Sequence, residues 1–163
     1  MEAAVTFLLF IFFSTIQARS ITPQPQAVES FKVNNTQNAG SCSYTVSIKT
    51  SCSSPRYTRD QISIAFGDAY GYQVYAPRID NPQSRAFESC STDTFQITGP
   101  CTYQVCYVYL YRSGYDGWLV DSVTIYGHYT KAATFSYNAY IPSDIWFGFN
   151  FCHGVSASST SSM

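Results

Sequence analysis

"GYDGWLVDSVTIYG", residues 114–127, decides the fold. A glycine-punctuated acidic turn delivers Trp118 to the mouth of an alternating run. Leu119, Asp121, Val123 and Ile125 fall on one face and Val120, Ser122, Thr124 and Tyr126 on the other. That period of two marks a strand with one face buried. An indole at such a mouth is either a lid on a sandwich core or an exposed anchor for a ligand or membrane.

The same period runs through the neighbouring sequence. Tyr44, Val46 and Ile48 alternate with polar residues, as do Ile62, Ile64 and Phe66 with Gln61, Ser63 and Ala65. "YQVCYVYLYR" puts Cys106, Val108 and Leu110 on one face and a row of tyrosines on the other. "AATFSYNAYI" and "IWFGFNFC" complete the set, and turn clusters such as "GDAYG" and "DNPQS" separate the runs. No stretch holds a helical period beyond a turn or two. Short strands with turns every 8 to 12 residues predict an all-β protein, an antiparallel β-sandwich of about eight strands.

The chain has 163 residues, enough for one domain, and nine Lys and Arg against ten Asp and Glu. No basic stripe exists, which argues against a nucleic-acid partner. Residues 1–20, "MEAAVTFLLFIFFSTIQARS", read as a secretory signal: the apolar run from Ala3 to Phe13 is too short for a comfortable span, and Ala18 and Ser20 precede a cut near Ile21. The expectation is a secreted, extracellular or cell-wall protein with no transmembrane segment after cleavage. Residues 21–40 read as a flexible lead-in carrying one glycosylation sequon at Asn34, residues 41–152 as the domain, and 153–163 as a disordered small-residue tail.

Cys42, Cys52, Cys90, Cys101, Cys106 and Cys152 form an even set behind that signal, so up to three disulfides are expected. Cys42 and Cys52 bracket one apparent strand and would lie roughly 30 Å apart at about 3.3 Å per residue, whereas a disulfide needs Cα atoms within about 7 Å. Cys101 and Cys106 have opposite parity on another. Neither pair should bond; the pairing otherwise stays open.

The order and wording of the strands resemble the PLAT (LH2) domain, the β-sandwich of lipoxygenases and some lipases. "YTVSIKT" followed by "YTRDQISIAFGDAYG", then "FESCSTDTFQITGPC", then "YQVCYVYLYRSGYDGWLVDSVTI" and "ATFSYNAYI" match its pattern over about residues 43–141. The phrases "FGDAYGYQVYAPR" and "YLYRSGYDGW" are similar to the plant embryo-specific protein 3 group, small secreted proteins with one PLAT-like domain. Six cysteines and the "IWFGFNFC" ending depart from the lipoxygenase version. The resemblance implies that Trp118 is structural, wedged where the turn meets the core, and it implies a plant seed or embryo setting.

For catalysis the inventory is poor: no GxSxG elbow, no HExxH, no glycine-rich phosphate loop, and two histidines, His128 near a strand end and His153 in the tail. The expectation is a non-enzyme that needs no cofactor and engages a lipid or membrane surface or a protein partner. A cell-wall carbohydrate-binding or structural protein is the alternative. Some PLAT domains use calcium, and the motif positions carry over to Asp60, Glu88 and Asp116, each just before a strand, as a candidate calcium site. Three carboxylates held together should repel, raising at least one pKa. Tyr70, Tyr72, Tyr115, Trp146 and Phe147 are the candidate binding surface, read as loop aromatics suited to a membrane interface or a sugar ring.

Overall fold

The computed structural model describes residues 23–34, 40–81, 83–128 and 130–152. Nine strands build it: β1 Gln26–Val28, β2 Ser41–Thr50, β3 Gln61–Gly67, β4 Gln73–Ala76, β5 Thr92–Pro100, β6 Tyr107–Ser113, β7 Leu119–Tyr126, β8 Ala133–Tyr140 and β9 Trp146–Asn150. One sheet has five strands in the order β1-β9-β6-β3-β4, the other four in the order β5-β2-β7-β8. Every strand pairing between them is antiparallel. The all-β sandwich is as expected, with one strand more.

The alternating residues meet between the sheets. Val46, Ile48, Ile62, Ile64, Phe66 and Leu110 are all fully buried. Burying a side chain of this size contributes roughly 1.5–3 kcal/mol, and the two inner faces together supply the main stabilisation. Tyr137, also buried, spans the gap and donates its hydroxyl to the Phe147 carbonyl at 3.2 Å. Gly148 makes that reach available, since a Cβ there would lie 2.7 Å from the Tyr137 hydroxyl.

In β7 the alternation breaks. Its register against β8 shifts between Val120 and Ser122, and against it β2 shifts between Lys49 and Thr50. This bulge turns Val120, Val123 and Ile125 all inward and leaves Leu119 half-exposed, so the two-face assignment of Leu119 and Val120 is corrected. Asp121, the residue displaced by the bulge, pairs with Lys49 at 3.3 Å.

The lead-in is likewise corrected. Residues 26–28 form β1 on the edge of the five-stranded sheet, and the chain then crosses that sheet's outer face. Phe31 packs at 4.8 Å from the Tyr109 ring and 4.9 Å from Trp146, and the Asn34 amide donates to Gln73 Oε1 at 2.7 Å on β4. This strap, with Tyr107, Tyr109 and Tyr111 standing opposite Gly67, Ala65 and Ser63, explains why β3 is buried on both faces. The Asn34 side of the sequon is exposed, while Thr36 lies outside the described residues, as do the leader and the tail.

Three disulfides close the fold: Cys42–Cys101, Cys52–Cys90 and Cys106–Cys152. The two exclusions hold. The reason for the second differs from the expected one, because Cys101 and Cys106 lie in the connection between β5 and β6 rather than on one strand.

Candidate functional site

Strand polarity sorts the loops into two ends. One end gathers residues 68–72, 101–106 and 127–132; the other gathers 51–60, 77–91, 114–118 and 141–145.

At the first end a buried carboxylate sets the geometry. Asp68, only 3% exposed, follows β3 directly, and its Oδ1 accepts the amides of Tyr70 at 2.8 Å and Tyr72 at 3.1 Å. Gly71, at φ 93°, makes the turn that this double acceptance needs. Asp68 Oδ2 accepts the Tyr103 amide at 2.7 Å, which draws the β5–β6 connection against the β3–β4 turn. The result is a tyrosine cluster. Tyr70 and Tyr103 have ring centroids 4.8 Å apart and are 66% and 61% exposed, with Tyr72 at 6.0 Å from Tyr103. Gln104 ties in the third loop by exchanging hydrogen bonds with the Lys131 backbone at 3.0 and 3.1 Å. Tyr44 adds a further tie: its hydroxyl donates to the Pro100 carbonyl and accepts the Thr102 amide, both at 2.8 Å. Among the described residues of these loops, the charged or titratable side chains besides the tyrosines and bonded cysteines are Asp68, Lys131 and His128.

At the opposite end lie Asp60, Glu88 and Asp116, as their positions ahead of strands imply. Among the described residues no group of three His, Cys, Asp or Glu could hold a metal ion. Asp60 is buried and ion-paired with Arg112, and it also accepts the amides of Asp116 at 3.1 Å and Gly117 at 3.3 Å. Burial pushes its pKa up, but the Asp116 amide, the Arg112 guanidinium and the Gly117 amide outweigh that, so the carboxyl sits below its ordinary value. The expected repulsion and raised pKa are thus reversed by a cation that the sequence reading overlooked. Arg112 has the parity of Val108 and Leu110, and an arginine at a core-facing strand position calls for a buried anion. That was the available signal. Gly114 is required beside the pair: a Cβ there would stand 2.0 Å from Asp60 Oδ1, at a φ of 147°. Asp116 Oδ2 accepts the Arg59 amide at 2.8 Å and so caps the adjoining loop.

Trp118 sits behind this lock, fully buried, with Nε1 donating to Thr50 Oγ1 at 3.1 Å and its ring 4.6 Å from Phe87. It is a core residue. The surrounding loop is backbone-strained, for Arg85, Phe87 and Cys90 adopt φ of 54°, 64° and 66°. Asp93 Oδ2 holds it by accepting the Phe87 amide at 2.8 Å and the Ser91 hydroxyl at 2.7 Å. Between this loop and residues 57–59 lies a cleft of about 170 Å³, lined by Tyr57, Arg59, Asn81, Arg85 and Glu88 over a floor of Phe87.

The five aromatics expected to share a surface are therefore dispersed. Tyr70 and Tyr72 belong to the first end, and Tyr115, fully exposed, stands at the other. Trp146 and Phe147 are strand rather than loop residues: Trp146 lies in the outer-face aromatic layer 5.3 Å from Tyr111, and Phe147 packs against the core 6.3 Å from Tyr137. Tyr103 was missed, because its neighbour in space is set by Asp68 and not by sequence. Among the described residues no helix is long and apolar enough to cross a membrane.

Comparison with known proteins agrees with this architecture. The structure is similar to a lipoxygenase (Delta413-417:GS LOX) with a TM-score of 0.57 and 20% identity, over 67% of this chain and 16% of that one. It is also similar to coral 8R-lipoxygenase, described as calcium-activated through a C2-like domain, with a TM-score of 0.56 and 20% identity over 65% of this chain and 17% of that one. The chain thus spans about a sixth of these enzymes' length, and the likeness is one of fold, that of their PLAT domains. In sequence it is 57% identical to Embryo-specific protein ATS3B of Arabidopsis thaliana, over 94% of this chain and 81% of that protein. It is 53% identical to Embryo-specific protein ATS3A of the same plant, over 90% and 82%. A family model for Embryo-specific protein 3 (ATS3) matches residues 28–152, well over half the length. The chain is a PLAT-like β-sandwich that belongs to the embryo-specific protein 3 family.

Proposed function

We propose that this chain is a secreted, non-catalytic module that docks on a lipid surface through its tyrosine end. The observation that carries the reading is the Tyr70–Tyr72–Tyr103 cluster, with Tyr70 and Tyr103 exposed and all three backbones fixed by Asp68, at the end of the sandwich with so few charged side chains. Tyrosine suits the membrane–water interface, where its ring enters the headgroup layer and its hydroxyl stays wet. A rigid platform loses little conformational entropy on docking. Three disulfides accord with an oxidising compartment and with the leader read at residues 1–20.

The coral enzyme raises calcium as a cofactor, but the donor set here does not fit one. Asp60 is committed to Arg112 and two amides, and Asp116 to Arg59. Docking is accordingly independent of calcium.

Vesicle sedimentation tests the reading. The chain should co-sediment with phosphatidylcholine vesicles, with or without added phosphatidylserine, and equally in calcium or chelator. Tyr70→Ala with Tyr103→Ala should abolish most of that binding. Failure to bind either vesicle, alongside retention on polysaccharide or a protein partner, overturns it.

A further inference from the structure

We infer that the cleft at the charged end is a second ligand site, one that takes a hydroxylated carboxylate of the uronate sugar class. Its volume is about 170 Å³, on the scale of one sugar ring. Its walls carry opposite charges that the protein itself does not pair. Among the described residues the side chains of Arg85 and Glu88 have no hydrogen-bond or ion-pair partner. Asp80, by contrast, is used up: Arg78 donates to one oxygen at 2.9 Å and the Ile62 amide to the other at 2.8 Å. The Arg59 guanidinium is already placed, 5.0 Å above the Tyr57 ring centroid.

Two guanidiniums at one cleft suit a planar carboxylate, which each can grip with paired N–H donors. Glu88 repels a second negative charge, which disfavours a phosphate dianion, but it accepts hydroxyl protons well. Asn81 offers its side-chain N–H donors, its Oδ1 already accepting the Gln83 amide at 3.0 Å. A ligand answering all four side chains carries one carboxylate and several hydroxyls.

Backbone conformation points the same way. Arg85 and Phe87 occupy left-handed positions where glycine or asparagine would be easier, and such strain persists where the surroundings over-determine it, commonly at ligand sites. Cys52–Cys90, the Asp93 carboxylate and the Phe87–Trp118 contact do so here. Arg85 thus lines the cleft from a loop braced two residues on, at Phe87.

The test is a titration of the disulfide-bonded chain, followed by NMR, with glucuronate, galacturonate, a galacturonate trimer, the neutral parents glucose and galactose, and acetate. Uronates should saturate in the millimolar range and move the amides of Asn81, Arg85 and Glu88. Neutral sugars and acetate should bind at least about tenfold more weakly, a difference of about 1.4 kcal/mol. A trimer that binds tighter than the monomer indicates a polysaccharide source, and equal binding indicates the free sugar. Arg85→Gly separates site from fold: glycine is at ease at φ 54°, so the melting temperature should hold or rise while uronate affinity falls at least about tenfold. No uronate binding, an equal response to neutral sugars or acetate, or affinity that survives Arg85→Gly overturns the inference. Tyr70→Ala with Tyr103→Ala should leave uronate binding untouched, so this result and the vesicle result fail separately.

Discussion

The same strands run between the two ends of the sandwich, yet the ends are assembled from opposite materials. At the tyrosine end one buried carboxylate, Asp68, gathers three backbone amides, and the surface it presents is aromatic. At the charged end a buried carboxylate, Asp60, meets a guanidinium, and the surrounding loops carry arginines and acids in alternation. In both places a short acidic side chain organises loops that have no regular structure of their own. The difference lies in what is left facing solvent. A carboxylate satisfied by amides needs no counter-charge nearby, so the tyrosine end can be almost free of formal charge and offer rings. A carboxylate satisfied by Arg112 fixes a covered ion pair at the other end, where the remaining charges can serve recognition.

The largest effect expected from breaking this contrast is at the charged end. Asp60→Ala leaves Arg112 buried without its anion and should cost about 3–5 kcal/mol of stability in urea unfolding. A loss below about 1 kcal/mol would show that the pair is not the lock described. Replacing both residues, Asp60→Leu with Arg112→Met, should recover only part of that loss: the desolvation cost of the pair disappears, but the Asp116 and Gly117 amides and the Ile141 and Gly114 carbonyls lose their partners.

Acid titration sharpens the same point. Because the folded Asp60 carboxyl lies below its ordinary value of 3.8, its contribution is present above that pH and lost as pH falls through the folded-state value. Stability should therefore decline below about pH 4 in the native chain. In Asp60→Asn that decline should be shallower. Parallel curves for the two proteins would assign acid lability to other carboxylates.

At the tyrosine end the effect on folding should be smaller and the effect on binding larger. Asp68→Ala removes a charged acceptor from three buried or half-buried amides and should cost about 1.5–3 kcal/mol. Vesicle binding should fall with it as Tyr70 and Tyr103 lose their common support. Smallest of all for stability, Tyr70→Ala with Tyr103→Ala should change unfolding by no more than about 0.5 kcal/mol per site, since both rings are exposed. A larger drop would mean that the rings hold the loops together and do not simply ride on them.

How much of this could be read beforehand depends on how local the cause is. The inward residues of β2, β3 and β6 declare themselves by period, because alternation is fixed within each strand. The bulge at Val120–Ser122 is not local. It answers to both neighbours of β7, so an unbroken alternation misplaces Leu119. Gln26–Val28 is too short to carry a period and becomes a strand only because β9, far along the chain, offers it an edge. Trp118 was readable as core through the family resemblance, whereas the acidic turn before it fitted a lid and an exposed anchor alike. Arg112 was readable too, by parity, yet its meaning rests on Asp60 lying close in space. The tyrosine cluster was half-visible: Tyr70 and Tyr72 stand in a glycine turn, but Tyr103 joins them through Asp68 across 35 residues.

The three disulfides also divide the chain as a graph. Cys52–Cys90 is nested inside Cys42–Cys101, Cys106–Cys152 stands apart, and no bridge joins the two sets. The first closed unit holds β2 to β5 and the second β6 to β9, so each gives two strands to each sheet. Covalently the molecule is two rings on one short tether, residues 102–105, which includes the exposed Tyr103. A single proteolytic cut in that tether would leave a native sandwich held by non-covalent contacts alone, the β1–β9, β3–β6 and β2–β7 ladders and the core between the sheets chief among them. On unfolding without reductant it would fall into two pieces. A cut in any other connection from Cys42 to Cys152 would leave one.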